Sequence, residues 1–227
     1  MRTIRTATFV SLDGVMQAPG GPTEDPRGGF RFGGWVFPYF DEKLGSLMDR
    51  AMGENYDLLL GRRTYEIFAA YWPHQDDEIG RTFNAVNKYV AAGPDTPLDW
   101  AHSHRLEGDL VEAVRALKAS DGRDLLIQGS SEVIHTLLAH DLIDQLTVLT
   151  FPIVLGRGRR LFDEGSRPHA WTLESSDMSG TGVIVGTYRR AGEVKSGSFA
   201  DEAPGPAELA RRERWAREMK ETPAVWA

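Results

Sequence analysis

The stretch Asp124–Phe162, which reads DLLIQGSSEVIHTLLAHDLIDQLTVLTFPIVLGRGRRLF, decides the fold class. Leu125 to Ile127 is an apolar run long enough for a buried strand, and Gly129 ends it. The apolar positions between Val133 and Leu138 fall on one face of a helix. Leu146 to Phe151 then has the composition of a second strand. The stretch is therefore predicted to be a strand–helix–strand unit with a turn of small residues after its first strand.

The turn Gly129-Ser130-Ser131 is a candidate cradle for a phosphate. A glycine allows a ligand to approach the backbone, and the start of a helix offers free N–H groups to an anion. Ligands of open α/β sheets bind beyond the carboxyl ends of the strands, where this turn is placed. The alternative is a tight turn whose serine caps the helix and binds no ligand.

A second turn of the same kind follows an earlier strand. Asp57 to Leu60 is predicted to be a buried strand, Gly61 ends it, and Arg62-Arg63-Thr64 opens a helix. Cations are unfavourable at a helix N-terminus unless an anion is present, so Arg62 and Arg63 favour a phosphate ligand there. The alternative is that both arginines are ordinary surface charges.

Strands and helices alternate along the first two thirds of the chain, and two strands close it. This order predicts an α/β fold with a central, mostly parallel sheet, antiparallel strands at its C-terminal edge, and helices on both faces. Further strands are predicted at 4–10, 87–92, 98–100, 171–176 and 182–189, and further helices at 42–52, 110–118 and 208–220. We expect one domain over residues 1–190, and a linker with a charged helix or tail over residues 191–227. Residues 17–34 form an unusually long glycine- and proline-rich loop, which is typical of a functional or a disordered segment.

Composition excludes several classes of function. The chain has 227 residues, no cysteine, a net charge of −7 and a pI near 5.4, which argue against disulfides, thiolate metal sites and a nucleic-acid surface. No apolar run is long enough to span a membrane, and residues 1–10 do not resemble a signal peptide, so a cytoplasmic protein is expected. His102 and His104 have no third ligand nearby, so no metal site is predicted.

Five short motifs occur in an order that resembles one known family. They are Ser11-Leu12-Asp13-Gly14, Gly61-Arg62-Arg63-Thr64-Tyr65-Glu66, Gly129-Ser130, Leu142-Ile143-Asp144-Gln145-Leu146, and Pro152-Ile153-Val154-Leu155-Gly156-Arg157-Gly158 with Leu161-Phe162. From about Thr3 to Arg190 the chain resembles the dihydrofolate reductase-like superfamily. Within that superfamily it is similar to the C-terminal reductase domain of the bifunctional riboflavin-biosynthesis deaminase–reductase.

The resemblance implies an NADPH-dependent reductase whose substrate is a small pterin-like or pyrimidine-like heterocycle. In such proteins the residues matching Gly61 to Thr64 hold the phosphates on the adenosine side. Those matching Gly129, Ser130 and Ser131 hold the pyrophosphate. The segment from Val10 through Gly14 to Val15 would line the nicotinamide. The cofactor carries the hydride, and the protein supplies orientation and a source of protons.

Two carboxyl groups are candidates for the proton source. Asp13 follows the first strand and Asp41 begins the first helix; a carboxyl in an apolar pocket can keep its proton near neutral pH. The alternatives are an Asp-Gly turn at Asp13 and a plain helix cap at Asp41. Phe9, Trp35 and Phe37 are candidate walls against which a heterocycle stacks.

The chain departs from the riboflavin reductases at three places. Ala7 and Val15 stand where those enzymes usually carry cations that help to hold a phosphoribosyl substrate. Ala92-Gly93-Pro94 replaces a serine–threonine turn that helps to hold the 2′-phosphate, so the choice of NADPH over NADH depends on Arg62 and Arg63. Two other readings stay open: a true dihydrofolate reductase, and a non-catalytic nucleotide-binding module on the same fold. A homodimer is possible in each case.

Overall fold

The strands form a single eight-stranded sheet in the computed structural model, which describes residues 1–199 and 203–221. The strands are β1 (Ile4–Ser11), β2 (Tyr56–Gly61), β3 (Lys88–Ala91), β4 (Ser103–Arg105), β5 (Asp124–Ile127), β6 (Gln145–Phe151), β7 (Ala170–Met178) and β8 (Ile184–Gly192). Their order across the sheet is β4-β3-β2-β5-β1-β6-β8-β7. The strands β1 to β6 are mutually parallel. Strand β8 lies antiparallel to both of its neighbours, β6 and β7. The predicted mostly parallel sheet with antiparallel closing strands is confirmed.

Helices cover both faces of this sheet, as predicted. They are α1 (Glu42–Met52), α2 (Arg62–Tyr71), α3 (Glu78–Ala85), α4 (Leu110–Ala119) and α5 (Ser131–Ala139), and short 3-10 turns occur at Arg27–Gly29, Phe37–Tyr39 and Trp72–His74. Helices α4 and α5 pack on one face, and α1, α2 and α3 pack on the other. Because both faces are covered, the central strands are apolar on both sides: Leu58, Leu59 and Leu60 are all fully buried.

Two elements differ from the sequence prediction. Residues 98–100 form no strand; the fourth strand lies slightly later, at Ser103–Arg105. Helix α3 was not predicted, because it is short and only Ile79 and Phe83 mark its apolar face. The strand β6 ends at Phe151, so Pro152 stands just beyond a strand end, where its missing N–H costs no ladder hydrogen bond.

The chain forms two separate compact units, Met1–Glu193 and the residues from Val194 onward. The second unit contains helix α6 (Pro206–Glu221), in which Glu208 pairs with Arg211 and Arg212. Within residues 1–199 and 203–221, no helix combines the length and the apolar character that a membrane crossing requires.

Candidate active site

Two strand-to-helix turns lie side by side at the carboxyl edge of the parallel strands. Strands β2 and β5 are neighbours, so the turn at Gly61 lies beside the turn at Gly129 and Ser130. Ser130 joins the two: its Oγ accepts a hydrogen bond from the Gly61 N–H at 2.9 Å, and its own N–H donates to Thr64 Oγ1 at 3.0 Å. These bonds hold the starts of helices α2 and α5 in one arrangement.

The same two helices begin without a side-chain cap. Ser130 precedes α5 in a left-handed conformation with φ of 44°, and its hydroxyl does not bond to the helix it precedes. Helix α2 follows Gly61, which has no side chain to offer. The other three helices of the Met1–Glu193 unit are each capped by an aspartate, namely Asp41, Asp77 and Asp109. The plain serine cap is therefore wrong for Ser130, and the first-turn N–H groups of α2 and α5 remain available to an anion.

An open cleft of about 530 Å³ lies in front of these helix starts and is rich in arginine. We call it the arginine cleft. Its polar and charged lining consists of Arg27, Arg62, Arg63, Thr64, Ser130, Ser131, Glu132, Thr136 and Arg159. The lining contains four arginines and one glutamate, and this excess of positive charge suits a ligand with several negative charges. The structure thus brings together Gly61, Arg62, Arg63, Thr64, Ser130 and Ser131, all of which the sequence predicts at a phosphate site.

The four arginines are not equivalent. Arg62 pairs with Glu66 at 2.9 Å and Arg159 pairs with Glu132 at 2.7 Å. Arg27 pairs with Asp25 at 2.6 Å. Arg63 has no ion-pair partner within residues 1–199 and 203–221, so its charge is the one most available to a ligand.

Sequence reasoning missed Arg27 and Arg159 as cleft residues. Arg27 comes from the long loop over residues 17–34, and Arg159 comes from the basic glycine loop after β6. Both loops stand out by composition, yet neither is close in sequence to Gly61 or Gly129. Only the folded chain reveals that they reach the same cleft.

A second, largely apolar cavity of about 230 Å³ adjoins the arginine cleft, and we call it the apolar chamber. Thr64, Ile67, Ser130, Ser131 and Arg159 line both cavities. The remaining lining is Ala7, Phe9, Met16, Gln17, Ala18, Pro19, Gly20, Glu24, Met48, Met52, Phe68, Trp72, Ile79, Phe83, Gln128 and Gly129. A charged groove that leads into a small apolar chamber suits a ligand with phosphates at one end and a flat ring at the other.

Of the three predicted stacking walls, only Phe9 lies on the chamber. Trp35 is 5% exposed; its ring packs edge-on against Phe151 with centroids 5.2 Å apart, and its Nε1 donates to the Gln17 carbonyl at 2.8 Å. Phe37 is 84% exposed and lines neither cavity. The geometry corrects the assignments of Trp35 and Phe37: one belongs to the core and the other to the surface.

The loop after β1 contributes to the chamber lining, but with residues further along the sequence than predicted. Val10 and Val15 are buried in the core, and Gly14 forms the turn between them at φ of 79°. None of the three lines either cavity, which argues against the nicotinamide wall that the resemblance implied. The residues from Met16 to Gly20 line the chamber instead.

Asp13 holds two loops together and does not face the chamber. Its carboxylate accepts hydrogen bonds from the Ser11 hydroxyl at 2.7 Å and from the N–H groups of Leu155 and Gly156 at 3.0 Å and 2.8 Å. Burial alone would raise the pKa of Asp13, but these hydrogen bonds together lower it below its usual range. A carboxyl that stays ionised and has its oxygens occupied is a poor proton donor, so the geometry argues against that role.

Asp41 caps helix α1 and is also absent from both cavities. One carboxylate oxygen accepts from the Leu44 N–H at 2.6 Å, and the other accepts from the Thr181 N–H at 3.1 Å. Asp41 is therefore better described as a helix cap that also bonds to the β7–β8 turn than as a source of protons. The alternative of a true dihydrofolate reductase predicts Asp41 as the acid in the pocket, so this position of Asp41 removes support from that alternative.

Replacing Asp41 by alanine tests this reassignment. We expect the free energy of unfolding to fall by about 1 to 2 kcal/mol, because the cap and the link to Thr181 are both lost. Affinity for a nicotinamide dinucleotide should stay within twofold of the parent chain. Urea denaturation and fluorescence titration measure the two quantities. A loss of dinucleotide binding without a loss of stability would instead support a role for Asp41 in the binding site.

Comparison with known proteins places this geometry in context. The chain is 26% identical over 136 residues to the uncharacterized protein YyaP of Bacillus subtilis (strain 168), covering 58% of this chain and 72% of YyaP. It superposes on a putative riboflavin biosynthesis protein from Shewanella sp. PV-4 with a TM-score of 0.58, 22% identity, and coverage of 84% and 99% of the two chains.

A third similar structure is dihydrofolate reductase from Enterococcus faecalis complexed with NADP(H). Its TM-score is 0.52 at 14% identity, with coverage of 83% of this chain and 96% of that one. The fold is therefore dihydrofolate reductase-like, as the sequence motifs implied. The model of the RibD C-terminal domain family matches residues 2–185, which is nearly all of the Met1–Glu193 unit, and the chain belongs to that family.

Proposed function

We propose that the protein is an NADPH-dependent reductase that transfers a hydride to a small pterin-like or pyrimidine-like heterocycle. The observation that carries this proposal is the pair of uncapped helix starts, joined through Ser130, in a cleft with four arginines that opens into an apolar chamber. Membership of the RibD C-terminal domain family supports a reductase of this kind.

The residues present fit a phosphate-bearing dinucleotide. The first-turn N–H groups of α5, after Gly129, would receive the pyrophosphate, and those of α2 with Arg62 and Arg63 would receive the adenosine-side phosphate. Neither helix start has a side-chain cap, and Glu132, the acidic residue in the first turn of α5, is paired with Arg159. When bound, the nicotinamide supplies the hydride; the protein excludes water and orients the two reacting rings.

The chamber favours a small substrate without a phosphate of its own. Ala7 lies on the chamber wall and Val15 is buried, so neither place offers a cation to a phosphoribosyl group. Within the part of the chain that the structure describes, Arg159 is the one cation that lines the chamber, and it also lines the cleft. Phe9, Met16 and Met48 supply surfaces for a flat ring.

Titration with NADPH and NADH tests the proposal most directly. Binding of NADPH tighter than about 100 μM, worth roughly 5.5 kcal/mol, is expected. A screen of oxidised pterins and of ribitylated or phosphoribosylated pyrimidines, followed as loss of NADPH absorbance, then identifies the acceptor. Failure of both nucleotides to bind refutes the proposal, and binding without turnover of any acceptor favours the non-catalytic nucleotide-binding module.

Replacing Arg63 by alanine tests the preference for NADPH. We expect NADPH affinity to fall roughly 10- to 100-fold, since a hydrogen bond to a charged group contributes about 1.5–3 kcal/mol. NADH affinity should change much less, because NADH lacks the 2′-phosphate. Arg115→Ala is the matched control: Arg115 lies on α4, pairs only with Glu112 and lines neither cavity. Equal losses for NADPH and NADH would show that Arg63 does not read the 2′-phosphate.

A further inference from the structure

Among residues 1–199 and 203–221, Glu24 is the only one with a carboxyl group on the lining of the apolar chamber, and the sequence motifs gave it no role. It lies in the long loop over residues 17–34, half-buried among apolar neighbours. Its Oε2 accepts hydrogen bonds from the N–H groups of Gly20 and Gly21, at 2.5 Å and 3.1 Å. Its Oε1 has no hydrogen-bond partner among residues 1–199 and 203–221. One oxygen is thus anchored and the other is available to a ligand.

We propose that Glu24 donates the proton that accompanies hydride transfer in the apolar chamber, a role that rests on the reductase function proposed above. The carbon of a C=N bond in the substrate accepts the hydride and forms a new C–H bond. The electron pair of the double bond moves to nitrogen, which forms an N–H bond as the Glu24 O–H bond breaks. The products are the reduced heterocycle, oxidised nicotinamide and the Glu24 carboxylate, which regains a proton from solvent.

The surroundings of Glu24 favour its protonated form. Burial raises the pKa of Glu24 and outweighs the two N–H donors, which lower it; the nearby charge of Asp25 acts in the same direction as burial. Helices α1, α2 and α3 present Thr64 and apolar or aromatic side chains to the chamber. The charged groups near Glu24 are Arg159 on the chamber wall, and Asp25, which is paired with Arg27. A positioned general acid contributes about 10²–10⁴-fold to a rate.

Nucleotide binding alone tests this role, before any substrate is known. Oxidised nicotinamide is a cation and reduced nicotinamide is not, so ionised Glu24 should favour NADP⁺ over NADPH. Both nucleotides carry the same phosphates, whose titration cancels in the ratio of the two dissociation constants. We expect the relative affinity for NADP⁺ to rise roughly tenfold as the pH rises through the raised pKa of Glu24 and the carboxyl loses its proton.

The variant Glu24→Gln should bind both nucleotides with a ratio that no longer depends on pH. Glu107→Gln is the control, because Glu107 is an exposed loop residue that lines neither cavity; it should keep the pH dependence of the parent chain. With any acceptor found by the screen, Glu24→Gln should lower kcat about 100-fold or more and abolish its decrease at alkaline pH.

The outcomes separate the two proposals. If neither nucleotide binds to the parent chain, the reductase function fails and the role of Glu24 fails with it. If both bind but their affinity ratio does not depend on pH, or depends on it equally in Glu24→Gln, the role of Glu24 is overturned and the reductase function stands.

Discussion

Replacing Gly129 by alanine is expected to weaken NADPH binding by tenfold or more. Gly129 has φ of +67°, and a Cβ atom there would lie 3.2 Å from both Oγ1 and Cγ2 of Thr64. Thr64 Oγ1 accepts the Ser130 N–H, so any displacement of Thr64 disturbs the bond that joins the two helix starts. Fluorescence titration with NADPH measures the effect.

Gly156→Ala is the matched control for this change. Gly156 has φ of +75°, nearly the same as Gly129, but its added Cβ would meet no atom within 4 Å. Both substitutions should lower the free energy of unfolding by about 1–2 kcal/mol, because alanine is unfavourable in the left-handed conformation. Only Gly129→Ala should change the affinity for NADPH. Equal affinities for NADPH in Gly129→Ala and Gly156→Ala would mean that the two turns joined through Ser130 do not hold the dinucleotide.

Replacing Asp57 by alanine is expected to lower the free energy of unfolding by about 3–5 kcal/mol, the largest change in stability that we predict. Arg2 donates to Asp57 at 2.5 Å, and both side chains are almost fully buried. Asp57 also accepts from the backbone N–H and the side-chain amide of Asn87. Removing the carboxylate leaves a buried guanidinium without its counter-charge. Urea denaturation measures the loss.

Two comparisons make this second prediction specific. The double variant Arg2→Met with Asp57→Leu should recover part of the stability, because the buried guanidinium is removed together with its counter-charge, whereas buried Lys88 still loses the attraction of Asp57. Arg115→Ala, which breaks an exposed pair with Glu112, should cost less than about 1 kcal/mol. The pair lies at the amino ends of β1 and β2, at the opposite end of the strands from the arginine cleft, so NADPH affinity should not change. A loss below about 1 kcal/mol for Asp57→Ala would contradict the prediction.

Much of the fold could be predicted from local patterns. Leu58 to Leu60 and Leu125 to Ile127 are continuous apolar runs, and each is a buried central strand of a parallel sheet. Gly61 and Gly129 end those strands where the composition indicated. The short helix α3 was missed because its apolar face has only two large side chains, which is too few for a helical period to emerge.

Some features of the candidate site depend on residues that are near neighbours in the sequence, and others depend on residues that are far apart in it. The phosphate-facing turns are local features, because a glycine at a strand end and the N–H groups of the following helix lie within a few residues of each other. The acids depend on distant partners: Asp13 bonds to Leu155 and Gly156, and Asp41 bonds to Thr181. Ser130 likewise accepts a hydrogen bond from the distant Gly61 and does not cap the helix that it precedes.

The sequence by itself determined most of the order of strands and helices, the two glycine turns and the arginines beside one of them. These depend on side-chain period and on backbone freedom at glycine, both of which act between near neighbours. Only the tertiary structure decided which carboxyl faces the chamber, because that choice depends on loops more than a hundred residues apart in the chain. Asp13 and Asp41 accept hydrogen bonds from backbone groups across those loops, whereas Glu24 lines the chamber and its Oε1 has no hydrogen-bond partner among the residues that the structure describes.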